Sequence, residues 1–309
     1  MIKKLASKNG LTLLAAVLVV FFVFAVHTAF AQEGLKKIAD GVYAYADVKN
    51  GSPKNSFGAN AGIIIDKNGI VVVDTLISAK EAKRFIRNIR AVSVKPIKLV
   101  VNTHYHLDHA FGNSEFTRLG AMIIAHTADS VNLRNRGEDA LKNAGNFGLT
   151  KEDMKGTELA YPALAFNDRM EINLGSRKIN LIFTGPSHSE GSILVYLPDS
   201  KVLFTGDILF TDRHPYMGDA NVDGWIKALG FIMGMDVVTI IPGHGPISSK
   251  KDITDMKNYL TIFDKKAKEL SMQSNDPDAI AAEMKKVLPA RSENESFIKT
   301  NIQMKYLKK

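Results

Sequence analysis

The chain has 309 residues, with 40 Lys and Arg against 32 Asp and Glu, 45% hydrophobic and 23% charged residues, a formal charge of +8 and no cysteine. That length and balance exclude a collagen, a coiled coil or a disordered polymer, and they suffice for one large α/β domain. Without cysteine there is no disulfide scaffold, cysteine nucleophile or thiolate metal site, so any metal must be held by His, Asp or Glu.

At the amino end, Lys3, Lys4 and Lys8 precede Leu11 to Val26, which is apolar apart from Thr12, and then Ala29-Phe30-Ala31. A basic stretch, an apolar run and small residues around a cleavage point predict a signal peptide over 1–31, removed after Ala31. The mature chain is then exported, periplasmic or secreted, without stable membrane insertion. The alternative is an uncleaved anchor. Setting those three lysines aside leaves a charge of +5, scattered among acids and without a nucleic-acid module, so no nucleic-acid partner is expected.

Downstream, short β-branched runs alternate with helical stretches. Gly41 to Val48, Ala61 to Ile65 and Ile70 to Thr75 read as strands, the last two paired across Asp66-Lys67-Asn68-Gly69. Ser78 opens a helix as N-cap, with Glu81 placed to reach back in a capping box, and Ala82, Phe85, Ile86 and Ile89 form its apolar stripe. Further strands are predicted at Lys98 to Val101, Met122 to Ala125, Ile179 to Phe183, Ile193 to Leu197, Val202 to Phe204 and Val237 to Ile241. Ala128 to Phe147 and Trp225 to Met235 read as helices, and the tail from Lys251 is helical, with Asp276-Pro277 starting one of its helices. No Pro-, Gly- or Ser-rich linker separates the tail. The expected organisation is a domain over 32–250 with a helical extension, 251–309, packed on it.

Chemistry concentrates where strands end. Thr103-His104-Tyr105-His106-Leu107-Asp108-His109 follows a strand, and residues two apart in an extended turn point the same way. His104 and His106 can therefore share one ion, while Asp108 and His109 face another. Gly185-Pro186-Ser187-His188, Thr205-Gly206-Asp207 and Pro242-Gly243-His244-Gly245 each follow an apolar strand, with a glycine near the polar residue. A Ser-His triad through Ser187 or Ser189 lacks a Gly-X-Ser-X-Gly elbow. His126 and His214 lie outside these clusters.

With Val72-Val73-Asp74-Thr75, the His-X-His-X-Asp-His run at 104–109, and His188, Asp207 and His244 in that order, the chain resembles the metallo-β-lactamase superfamily of di-metal hydrolases from about Ile38 to Pro246. The resemblance implies an α/β fold, a four-layer αββα sandwich. It assigns His104, His106 and His188 to one ion, Asp108, His109 and His244 to a second, and Asp207 as the bridge. Asp74 is expected behind the ligands, accepting from a ligand histidine. Two Zn²⁺ about 3.5–4 Å apart would acidify a water and so dispense with a separate strong base, with Asp108 orienting the nucleophile and passing a proton to the leaving atom.

The resemblance also bears on substrate. Cysteine-bearing zinc β-lactamases carry a lysine three positions after that cysteine, where this chain has Phe210, which argues against efficient β-lactam cleavage. The texture is closest to exported metallo-hydrolases of quinoprotein and sulfur-oxidation gene neighbourhoods. The expected function is therefore hydrolysis of a small acyl molecule, β-lactam-, lactone- or thioester-like. The alternative is an iron-dependent persulfide dioxygenase of the same fold. Arg213 and His214, just beyond Asp207, are expected to line the cleft, with Arg213 gripping a substrate carboxylate.

Overall fold

The computed structural model describes residues 34–46 and 53–307. The expected signal peptide, and the end of the strand expected over 41–48, lie outside the described residues. Among the described residues no helix is long and apolar enough to cross a membrane.

The first sheet has seven strands in sequential order: β1 (Leu35–Ala39), β2 (Val42–Tyr45), β3 (Ala61–Asp66), β4 (Gly69–Val73), β5 (Ile97–Val101), β6 (Met122–His126) and β7 (Leu164–Phe166). Pairing is antiparallel as far as β4 and parallel from β4 to β7. The change comes where helix α1 (Ala79–Val92) carries the chain back, as a parallel pair requires. The second sheet, in the order β12-β11-β10-β9-β8, comprises β8 (Arg169–Asn173), β9 (Lys178–Phe183), β10 (Ile193–Leu197), β11 (Val202–Phe210) and β12 (Thr239–His244). Only β11 and β12 pair in parallel there, joined through helix α5 (Val222–Met233).

Strand alternation stacks the sheets. Val71, Val73, Val101 and Ile124 of the first meet Leu181, Val195, Phe204 and Ile241 of the second in one buried cluster. Val72 and Val100 point the other way, onto Phe85 and Ile89 of α1. Burying each of those two side chains contributes about 1.5–3 kcal/mol. On the opposite outer face, Leu194, Leu203 and Ile240 meet Trp225 and Leu229 of α5 and Tyr259 and Phe263 of α6 (Lys250–Ser271). The result is the four-layer αββα sandwich of the α/β class. Ile280 and Met284 of α7 (Pro277–Lys285), Ile298 of α8 (Ser296–Asn301) and the following Ile302 enter that same outer cluster.

Several local details differ from expectation. The Ser78 hydroxyl accepts from the Glu81 amide at 3.3 Å, but the Glu81 carboxylate turns to Arg84 at 2.6 Å instead of reaching back to the cap. The helix expected over 128–147 runs as α4 over Thr127–Lys142, followed by a 3-10 turn at Ala144–Phe147. Strand β11 does not end at Phe204; it continues through an irregularity at Gly206 to Phe210, so Asp207 sits within a kinked strand. Strands β1, β7 and β8 and the short helices α2 (Leu107–Ala110) and α3 (Asn113–Thr117) carry no clear periodicity in the sequence.

Candidate metal centre

Two backbone approaches bring the ligand residues together. Gly206 has φ +48°, and a Cβ there would come within 2.3 Å of the Thr103 hydroxyl oxygen. A Cβ on Gly243 would lie 1.9 Å from Oδ1 of Asp207. Only glycine lets the loop after β5, the kink of β11 and the end of β12 pack this closely.

His104, His106, His188 and Asp207 form one group of mutually close donor atoms, and Asp108, His109 and His244 form the other. Asp207 lies between them: its Oδ2 is 3.3 Å from Nε2 of His188 and 3.4 Å from Nε2 of His244, and its Oδ1 is 3.1 Å from Nε2 of His109. Oδ2 of Asp108 is 3.2 Å from Nε2 of His244. All seven residues are buried except His106, which is partly exposed.

Neighbouring groups set which ring nitrogen faces inward. Asp74 accepts from the Thr103 amide and from the Thr103 hydroxyl, each at 2.7 Å, and from Nδ1 of His109 at 2.9 Å. With its proton given to Asp74, the Thr103 hydroxyl accepts from Nδ1 of His104 at 3.2 Å, leaving Nε2 of His104 free and without a hydrogen-bond partner. Nε2 of His106 donates to Asp219 at 3.0 Å, so its Nδ1 is a lone pair. Nδ1 of His244 donates to the Phe57 carbonyl at 3.3 Å.

Burial, and then the neighbouring imidazoles, hold His104 well below the usual histidine range; burial brings His188 down to about 3. For His109 and His244 burial pulls the same way, but Asp207 and Asp108 outweigh it, raising His109 well above its ordinary value and His244 to about 9. Burial is the largest influence on Asp207, and the surrounding imidazoles overcome it to hold the carboxylate far below its ordinary range.

This donor set fits metal ions. Nδ1 of His106, a lone pair, and Nε2 of His188 stand 2.9 Å apart, close enough for both to reach one cation. His104 aims an unpartnered Nε2 at the same place, and the carboxylates hold His109 and His244 charged. Buried imidazoles and carboxylates without sulfur suit zinc or iron.

Four of these residues, His106, Asp108, Asp207 and His244, form the floor of a cavity of about 680 Å³. Phe210 lines it beside them and stacks on His244 with ring centroids 4.9 Å apart. Arg213 and His214 do not line it. The Arg213 guanidinium pairs with Glu293 at 2.5 Å, and Nδ1 of His214 meets the Tyr259 hydroxyl at 2.8 Å. The chain turns after Phe210, and both side chains pack under the C-terminal segment instead of lining the cavity as expected. His126 caps α4 and stacks on Phe183.

Sequence reasoning missed Tyr105, Arg136 and Asp219. Asp219 also accepts from the Tyr105 hydroxyl and from Arg136, each at 2.9 Å, and Arg136 donates to Tyr105 at 2.9 Å. Burial opposes ionisation of Asp219, yet the bonds from His106 and Tyr105 and the charges around it hold it below the usual carboxylate range. No spacing rule marks Asp219, because it reaches His106 only through the loop between β11 and α5.

A family model described as the metallo-beta-lactamase superfamily matches residues 56–244. The chain is 23% identical over 252 residues to a metallo-beta-lactamase type 2 of Elizabethkingia meningoseptica, covering 78% of this chain and 91% of that protein. It is 25% identical over 178 residues to the 2,4-dinitroanisole O-demethylase subunit alpha of Nocardioides sp. (strain JS1661), covering 57% of this chain and 49% of that protein. A linear primary-alkylsulfatase of Pseudomonas sp. (strain ATCC 19151) is 24% identical over 221 residues, 61% of this chain and 42% of that protein. The matches to these last two thus span half or less of their length. Among solved structures, the metallo-beta-lactamase from Pontibacter korlensis shares the fold with a TM-score of 0.60 at 20% identity, covering 74% of this chain and 99% of that one. Motif order, sandwich and matched region agree, and the chain belongs to the metallo-beta-lactamase superfamily.

Proposed function

We propose that the protein is an exported zinc hydrolase that uses two metal ions to cleave a small acyl compound. The observation that supports this reading most is the pair of donor groups joined through Asp207 on the floor of the cavity. His104, His106 and His188 would hold one ion, Asp108, His109 and His244 the other, and Asp207 both. When bound, the metal pair supplies an acidified water and a Lewis acid for a carbonyl oxygen.

The chain's own residues do the rest. Asp74, Thr103 and Asp219 hold three imidazoles in the tautomers that face inward. Asp108 lies at the cavity surface, where its carboxylate orients the attacking water, holds a proton at Oδ2 and delivers it to the leaving atom. Names among the relatives include a demethylase, a sulfatase and β-lactamases, so family membership does not choose the bond cleaved.

Metal analysis coupled to a hydrolysis screen over β-lactams, lactones, thioesters and phosphoesters tests the reading. Two equivalents of zinc with turnover of an acyl substrate is the expected result. One equivalent of iron with sulfide-dependent oxygen uptake would replace it with the persulfide dioxygenase. Export rests on the first 31 residues, and N-terminal sequencing should find Gln32 first.

A further inference from the structure

One wall of the cavity comes from outside the matched region 56–244. Asn294, Phe297, Thr300 and Met304 line it, and Phe57, Leu107 and Phe111 contribute further apolar lining. Tyr216 joins this wall to the metal site: its ring lies 5.8 Å from that of His106 and 5.9 Å from that of Phe297, and its hydroxyl reaches Sδ of Met304 at 3.7 Å.

The wall is anchored firmly. Asn301, fully buried, donates to the Pro215 carbonyl and accepts from the Met217 amide, both at 2.8 Å. Arg213 holds Glu293, and Ile298 and Ile302 enter the core.

The charge in the cavity is equally informative. Among the described residues lining it, Arg136 is the only Lys or Arg, and Asp219 neutralises it at 2.9 Å. A carboxylate at the far end of a chain lying along this wall, away from the metal site, would be stripped of water with no free lysine or arginine to receive it, which disfavours it. An apolar chain instead meets Phe297, Met304, Phe57 and Phe111.

We infer that the C-terminal wall makes this site selective for an uncharged acyl compound with an apolar chain, gripped by Phe297 and Met304. The inference rests on the hydrolase reading for its reaction: the oxygen of water bonds to the acyl carbon, the bond from that carbon to the leaving oxygen or sulfur breaks, and the leaving atom takes the proton.

The test is calorimetric binding to the zinc-loaded protein of methyl ketones, which keep the carbonyl but are not hydrolysed. Decanone should bind at least about tenfold more tightly than butanone, and more tightly than 9-oxodecanoate. Phe297→Ala with Met304→Ala should erase the chain-length preference, Phe297→Leu should retain most of it, and Phe297→Lys should shift preference toward the oxo acid. Both residues are only partly buried, so circular dichroism and metal content should stay unchanged. Equal binding of decanone and butanone, tighter binding of the oxo acid by the unmodified protein, or an unaltered preference in the double variant would overturn the inference. Hydrolysis failing while the ketone preference holds would remove the hydrolase reading and leave the wall. Turnover of short esters without chain preference would do the reverse.

Discussion

Oδ2 of Asp219 lies 3.0 Å from Nε2 of His106, and the same carboxylate is held by Tyr105 and Arg136. This bond turns Nδ1 of the most exposed ligand histidine toward His104 and His188. Asp219→Ala should weaken zinc affinity about 10–100-fold, measured by competition with a chromophoric chelator. Undiminished affinity would show that the ring is held by packing alone.

His104→Ala removes the imidazole whose inner nitrogen has no other partner. Metal and activity should be lost together, and full metal content in the variant would refute the ligand assignment. Asp108→Asn keeps the size of the side chain but not its charge. Its turnover should fall by orders of magnitude; two ions still bound with an unchanged rate would make the carboxylate dispensable.

Protonation of the metal-free site supplies a pH test. Asp207 and Asp108 raise both His109 and His244 above the ordinary histidine value, His244 to about 9, so at pH 7.5 His244 carries a proton that a metal must displace. Zinc loading should therefore release protons, read by calorimetry in buffers of different ionisation enthalpy, and affinity should rise with pH until about 9. A folded value above the unfolded one means that His244 stabilises the metal-free protein below about pH 6.5 and that this contribution is lost as pH rises through about 9. Thermal unfolding of chelator-treated protein should show that loss, and the zinc-loaded protein should not.

Arg213 anchors the segment that walls the cavity. Arg213→Ala removes the buried guanidinium that holds the partly exposed Glu293 and should cost about 1 kcal/mol, seen as a lower Tm and faster proteolysis after Met284. A selective rise in KM for anionic substrates with unchanged stability would instead restore Arg213 as a carboxylate grip.

The run at 104–109, with His188, Asp207 and His244, was legible from residue type and spacing because a metal site needs several donors, and few other roles concentrate them in this way. Most sheet strands were legible for a similar reason: a strand buried on both faces, such as β4 or β10, must be apolar throughout. Short or exposed strands such as β7 and β8 were not, since little burial leaves little pattern.

By itself the sequence determined the cluster of donor residues and its order at strand ends, because donor types are concentrated there, and the motif they form carried the resemblance that implied the sandwich and the sharing of donors between two ions. Only the tertiary structure decided what surrounds the ligands. It turned Arg213 toward Glu293, brought Asp219 onto His106 across 113 positions of chain, and set Phe297 and Met304 against the cavity. Those contacts depend on where loops and helices come to rest once the core has packed. A side chain's direction at the end of such a path leaves no periodic trace in the residues that precede it.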